Sequence, residues 1–304
     1  MLGTGDGVTN PPSAAVVRDG LRRRSVVFDA IVVGLSMLLA SSHSGADRTR
    51  GRWVSLKQRL PLLRWSFWRQ TIGFLIAGDT GQIGDGREAA AADYVLSHAR
   101  RGDIDDVLAA FDTFAYNKSL LMNVGDEKGQ LLDAAVHRAA PDRALELGTY
   151  CGYGALRIAR AAPGACVYSI ELAEANATIA RSIWAHAGVA DRVICIVGTI
   201  GDGGTTTARL TAKHGFSPGE LDFLFIDHHK SAYVEDLKTI LGLGWLRQGS
   251  IVVADNIIYP GAPRYRRYMH EQQGKLFDTV EHKTHLEYQT LIPDLVLESE
   301  YLAT

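Results

Sequence analysis

From about residue 78 onward, short apolar runs alternate with stretches of helical length, and no other feature restricts so strongly what this chain can fold into. The runs 144–147, 167–171, 193–197, 221–226 and 250–254 read as buried strands. Between them lie four stretches long enough for helices, at 153–162, 175–188, 206–214 and 234–243. Two more helical stretches, 86–100 and 104–116, come first, and Asp103 is placed to cap the second. Parallel strands need crossover connections, so this alternation predicts an α/β fold with a mostly parallel sheet and helices on both faces. After the fifth run, a helix is expected over 265–272 and strands over 279–283 and 289–297. The short connection around 283–288 makes that last pair an antiparallel hairpin and brings the sheet to seven strands.

A chain of 304 residues has room for one such domain and an extension. The division expected is an N-terminal extension over 1–77 and the α/β domain over 78–304. With 32 basic and 34 acidic residues, nothing in the charge balance draws nucleic acid. Cys151, Cys166 and Cys195 form no CxxC pair and leave an odd count, which argues against a zinc ribbon or a disulfide framework and suits a reducing cytoplasm. Within the extension, 1–25 reads as a disordered tail ending in Arg22, Arg23 and Arg24. The apolar stretch 26–40, broken by Asp29, would cover about two-thirds of a ~30 Å hydrocarbon core. Its basic front also resembles a signal peptide, in which Asp29 sits badly. A later segment carries Trp65, Trp68, Ile72 and Leu75 at helical spacing among arginines, a pattern that suits a bilayer interface and a helix packed on the domain equally well. Association of 26–77 with a membrane surface and a purely cytoplasmic protein are both open, and nothing in the sequence sets the oligomeric state.

In a parallel α/β sheet, ligands bind at the carboxyl ends of the strands, near the reversal of strand order. The first strand runs into ELGTYCGYG, where Gly148, Gly152 and Gly154 surround a strand-to-helix turn without the GxGxxG spacing of dinucleotide binders. A structural tight turn would account for the glycines alone. The second strand, however, ends in Glu171, placed to accept hydrogen bonds from ribose hydroxyls, and the two features together favour a nucleoside ligand. The fourth strand ends in Asp227, followed by His228, His229 and Lys230, and the fifth in Asp255 and Asn256. Two carboxylates and an amide at neighbouring strand ends form a hard-oxygen set suited to Mg²⁺. Zinc would need more converging nitrogen or sulfur ligands than two adjacent histidines supply. Lys230 follows close enough to reach a group held there, and a neighbouring cation disfavours an ammonium, leaving an amine as general base.

The turn ELGTYCG is similar to the first motif of S-adenosylmethionine-dependent methyltransferases. Together with MNVGDEKG, IDHHK, ADNIIYPGAP and HLEY, it makes residues 78–297 resemble the catechol O-methyltransferases. That resemblance implies a Rossmann-like class I methyltransferase fold, S-adenosylmethionine and Mg²⁺ as cofactors, and a small-molecule catechol as partner. It implies that Met122, Asn123, Val124 and Gly125 form a lip between cofactor and substrate. Glu146, Gly148 and Gly154 would flank the methionine portion, and Tyr150 the sulfonium. Glu171 would hold the ribose, Leu172 and His228 would line the adenine beside Asp227, and the loop at Ile200 would close over it. Asp227, Asp255 and Asn256 would bind Mg²⁺, Lys230 would take the proton, Glu287 would bond the second hydroxyl, and Pro260 would form a wall. Leu120 and His229 stand where vertebrate members carry tryptophan, Gly154 where they carry serine, and Ile200-Gly201 where they carry Ser-Gln. These departures leave the size of the substrate open. One alternative is a larger catechol-bearing acceptor such as a caffeoyl ester or a siderophore precursor, and another is a cofactor-binding protein without catalysis.

Overall fold

Alternate strand residues point to opposite faces, and here both faces are apolar, so both must be covered. The computed structural model describes Ile83 and residues 85–303; the expected extension over 1–77 lies outside them. In chain order the elements are α1 (Arg87–His98), α2 (Ile104–Asn117), α3 (Gly125–Ala139), β1 (Arg143–Leu147), α4 (Tyr153–Ala161), β2 (Cys166–Glu171), α5 (Glu174–Ala187) and β3 (Val193–Val197). There follow α6 (Thr205–His214), β4 (Leu221–Ile226), α7 (Tyr233–Gly242), β5 (Leu246–Ala254), a π-type turn (Ile257–Gly261), α8 (Pro263–Glu271), β6 (Phe277–His285) and β7 (Pro293–Tyr301). The strands form one sheet in the order β3-β2-β1-β4-β5-β7-β6. Strands β1 to β5 pair in parallel, while β7 runs antiparallel to both β5 and β6.

Ala144, Phe223, Phe225 and Val253 face one core, packed with residues of α1 to α5. Leu145, Leu224, Ile226 and Val252 face the other, packed with residues of α6 to α8. The predicted fold is therefore the observed one, and Asp103 caps α2 as expected, its side chain accepting from the Asp106 amide.

Three elements differ most from the sequence expectation. Helix α3 was not anticipated because the first half of its buried face carries Gly125, Lys128 and Gly129, which leaves the apolar period to Leu132, Ala135 and Val136 alone. Strand β5 begins earlier than residue 250, since Arg247, Gln248 and Gly249 form an exposed irregularity where the register with β4 shifts. Strand β7 starts at Pro293, not at 289, so the connection between the last two strands is longer than expected. Gln289 closes it, donating to the Leu286 and Ile292 carbonyls and accepting from the Leu291 and Ile292 amides.

From β1 the chain builds outward through β2 to β3, then returns to add β4 and β5 on the other side. The carboxyl ends of β1 and β4 therefore flank the point of reversal. Gly148 makes their close approach feasible: a Cβ there would lie 2.4 Å from the Asp227 carbonyl oxygen, and its φ of 103° also favours glycine.

Candidate active site

Backbone pairing continues just past the strand ends. The Asp227 amide donates to the Leu147 carbonyl and the Asp255 amide to that of Ile226, which sets these two aspartates side by side on adjacent strands. Asp255 is fully buried. Its Oδ1 accepts from the Asn256 amide at 2.6 Å and from Lys128 Nζ at 2.8 Å, while Oδ2 is buried without a protein partner. Burial pushes the Asp255 carboxyl up from the ordinary carboxylate range, and Asp227, Glu287 and Asp294 add to the rise against the pull of Lys128. Asn256, at a φ of 57°, turns its Nδ2 to Glu287 Oε1 (2.7 Å) and Asp294 Oδ2 (3.1 Å). An amide whose nitrogen is spent on carboxylates has its oxygen left as the ligating atom. The orphaned Asp255 oxygen and the all-oxygen donor set of Asp227, Asp255 and Asn256 fit a hard divalent cation. Glu287 comes from the β6–β7 connection and lies against the 122–125 segment, where a Cβ on Gly125 would sit 3.4 Å from its Cβ.

Lys230 sits one residue beyond the histidine pair, with Nζ donating to Asp227 Oδ1 at 2.9 Å and to the Tyr233 hydroxyl at 2.6 Å. The Tyr233 hydroxyl in turn donates to the Asp255 carbonyl, so it presents only a lone pair to the lysine. Tyr233, fully buried and stacked on the His228 ring at 5.0 Å, was not singled out from the sequence. Nor were Lys128 and Asp294, both about 1 % exposed. In the sequence Lys128 falls in MNVGDEKG, where no apolar period marks it as buried, and Asp294 lies inside the strand expected over 289–297.

At the glycine turn, Glu171 gathers donors from three places: the Tyr150 amide (2.8 Å), the Ala173 amide (2.8 Å) and Asn176 Nδ2 (3.3 Å). Burial raises its carboxyl above the ordinary range while these bonds pull it back. Glu146 is buried, accepts from the Ser169 hydroxyl and the Ala155 amide, and is held well above its ordinary value by desolvation. Its carboxylate fills the space a side chain on Gly154 would need, since a Cβ there would lie 2.2 Å from Oε1. The glycine at 154 and the inward Glu146 are thus one arrangement.

Tyr150 has a buried ring, and its hydroxyl donates to Glu88 of α1 at 2.9 Å. His228 gives Nε2 to Asp236 at 2.9 Å, and burial lowers its affinity for a proton, so Nδ1 is left as a buried acceptor without a protein partner. Leu172 is 57 % exposed, whereas Ile200 and Leu120 are buried in the two cores. Val124 is buried, Met122 half-buried, and Pro260 and His229 exposed. Leu120 therefore sits in the core beneath the 122–125 segment and leaves the surface to other side chains. Among the described residues, no helix is long and apolar enough to cross a membrane.

A family model described as O-methyltransferase matches residues 102–277. Among curated proteins, a probable O-methyltransferase of Mycobacterium tuberculosis is 73% identical over 223 residues, covering 73% of this chain and 95% of its own length. Catechol O-methyltransferase B of Danio rerio is 41% identical over 195 residues, covering 64% of this chain and 71% of its own. Among solved structures, an O-methyltransferase from Bacillus cereus in complex with S-adenosylhomocysteine shares the fold at a TM-score of 0.52 and 22% identity, covering 78% of this chain and 98% of that one. The match over more than half the chain and the high identity to a relative covered almost end to end leave one conclusion, that the chain belongs to the O-methyltransferase family.

Proposed function

We propose that the protein transfers the methyl group of S-adenosylmethionine to one hydroxyl of a catechol held by Mg²⁺. The observation that carries this is the convergence at the ends of β4 and β5. Asp227, the orphaned Oδ2 of Asp255 and the amide of Asn256 make an oxygen set, with Lys230 bonded to one side of it and Glu287 to the other. A relative 41% identical to this chain is named a catechol O-methyltransferase, which supports the same acceptor class.

When bound, Mg²⁺ would supply a Lewis acid that eases loss of a proton from a phenol that otherwise titrates near pH 10, and S-adenosylmethionine would supply the methyl group. Asp227, Asp255 and Asn256 would hold the ion. Lys230 as a neutral amine would take the acceptor's proton at Nζ. The Tyr233 hydroxyl, already donating elsewhere, would stabilise the ammonium so formed. Glu287 would accept from the second hydroxyl, with Met122 and Pro260 beside the ring. Val124, Glu146, Gly148, Tyr150, Gly154, Glu171, Leu172, Ile200 and His228 would form the cofactor's cradle, the Glu171 carboxylate exchanging backbone partners for ribose hydroxyls. Positioning of the two reactants accounts for much of the remaining acceleration.

Methyl transfer to dihydroxybenzoate or dopamine, assayed with and without Mg²⁺, tests the proposal. Activity should vanish in EDTA and return with Mg²⁺. Lys230→Met should keep cofactor affinity within about twofold and lose at least ~100-fold in kcat, the range general-base removal spans. Turnover indifferent to both treatments would refute the mechanism.

A further inference from the structure

Asp255, Glu287 and Asp294 each place a carboxylate oxygen within 4.8 Å of the others, an arrangement that would suit a metal ion. A lysine fills it. Lys128 Nζ lies 2.8 Å from Asp255 Oδ1, 2.5 Å from Glu287 Oε1 and 3.2 Å from Asp294 Oδ2, and its side chain is 1 % exposed. An ammonium has three hydrogens, and here three carboxylates meet it. The acids come from the end of β5, the β6–β7 connection and β7, so one side chain of α3 joins segments more than a hundred residues away in the chain.

Asp255 and Glu287 are thereby each divided into a spent oxygen and a spare one, while Asp294 spends both. Asp255 spends Oδ1 on Lys128 and the Asn256 amide, and Oδ2 stays buried without a partner. Glu287 spends Oε1 on Lys128 and on Asn256 Nδ2. Asp294 spends Oδ2 on the same two groups, while its Oδ1 takes the amides of Ile258, Tyr259 and Leu295 and so pins the turn that carries Asn256.

From this geometry we infer that Lys128 is a positioning residue: it occupies the cation place among these three acids and fixes which oxygens of Asp255 and Glu287 face the ion and the acceptor. Removing it would leave two buried carboxyls and the partly buried Glu287 without their shared cation and free to rearrange, because a buried carboxylate deprived of its partner cannot keep its place without a large desolvation cost. The inference rests on the magnesium reading above and names a residue that reading does not use.

The test is Lys128→Ala in the full-length protein with S-adenosylmethionine present. It should bind the cofactor within about twofold of the unaltered protein, yet bind Mn²⁺, followed by electron paramagnetic resonance, at least ~10-fold more weakly, and lose at least ~100-fold in kcat/KM for a catechol. Propylammonium should fill the vacated space and restore Mn²⁺ affinity and turnover by ~10-fold or more, while propionate, similar in size and opposite in charge, should restore neither. A purely structural lysine would move the melting temperature alone, so a folded Lys128→Ala variant with unchanged Mn²⁺ affinity and acceptor KM overturns the inference. Should that variant fail to fold, Asp294→Asn turns the 3.2 Å contact into a donor facing a donor. It should raise acceptor KM severalfold at constant cofactor affinity, and an unchanged KM would overturn the inference equally. Failure of the unaltered protein to bind Mn²⁺ would refute the magnesium reading and this inference with it, an outcome distinct from a variant that merely matches it.

Discussion

Asp112 shows how a single half-buried group writes its state into the stability of the whole domain. Tyr153 and Tyr288 both donate to its Oδ1, at 2.9 and 3.0 Å, yet desolvation outweighs them and pushes the carboxyl up to about 6. Between pH about 4 and 6 the folded chain holds a proton there that the unfolded chain has released, so this group's contribution to stability falls as pH rises through that window. Asp112→Asn keeps an oxygen for both tyrosines and removes the charge. The variant should be more stable than the unaltered protein at pH 8, on the order of 2 kcal/mol, with the difference disappearing near pH 4 in denaturant titrations. At Gly148 the constraint is steric: the nearest obstacle to a Cβ is the Asp227 backbone, which cannot swing aside. Gly148→Ala should therefore cost about 3 kcal/mol or more in denaturant titrations. Among the thiols, burial raises Cys151 well above its ordinary range and Cys195 to about 11, whereas Cys166 is exposed. A disulfide reagent applied to the native protein at pH 8 should react with Cys166 well before the other two, and equal rates at all three would contradict this burial.

At the scale of elements, the β6–β7 connection matters most, because it delivers Glu287 to the site from strands that are late in the sequence. Its form depends on one amide side chain, since Gln289 satisfies two carbonyls and two backbone amides at once. Gln289→Ala should cost about 1–3 kcal/mol and raise acceptor KM severalfold while cofactor affinity holds, as read by chemical denaturation and calorimetry. The same connection marks where sequence reading lost accuracy. The run from 289 is apolar enough to begin a strand, but Gln289 and its partners turn the chain first, so pairing starts at Pro293. Strands β1 to β4 were legible nearly to the residue because each is a short apolar run, buried on both faces in β1, β2 and β4 and partly so in β3 at the sheet's margin. Helix α3 was illegible for the converse reason: its inward face holds a lysine and glycines whose reason for burial lies on other elements.

Across the molecule, the site occupies the carboxyl ends of the central strands at the point of reversal, and two cores on either side fix the strands that end there. All of the proposed machinery falls between Met122 and Glu287, with α1 bracing it through Glu88 and Arg87, whose Nη1 donates to the Leu120 carbonyl. We therefore propose the domain boundary near residue 78. A fragment beginning at Gly78 should fold cooperatively and methylate with the kcat/KM of the full chain within about threefold, as steady-state kinetics would show. An insoluble or inactive fragment would mean that the Trp-rich segment belongs to the domain.

The sequence by itself determined the alternation of strands and helices, the glycine turn and the acids at strand ends, because each is a local pattern: an apolar period, a backbone requirement, a polar residue after a buried run. Only the tertiary structure decided that Lys128, Tyr233 and Asp294 belong beside Asp255 and Glu287. Their placement comes from α3, α7 and β7 closing on the carboxyl ends of β4 and β5, and a buried charge is explained by the partners that surround it, which no local pattern records.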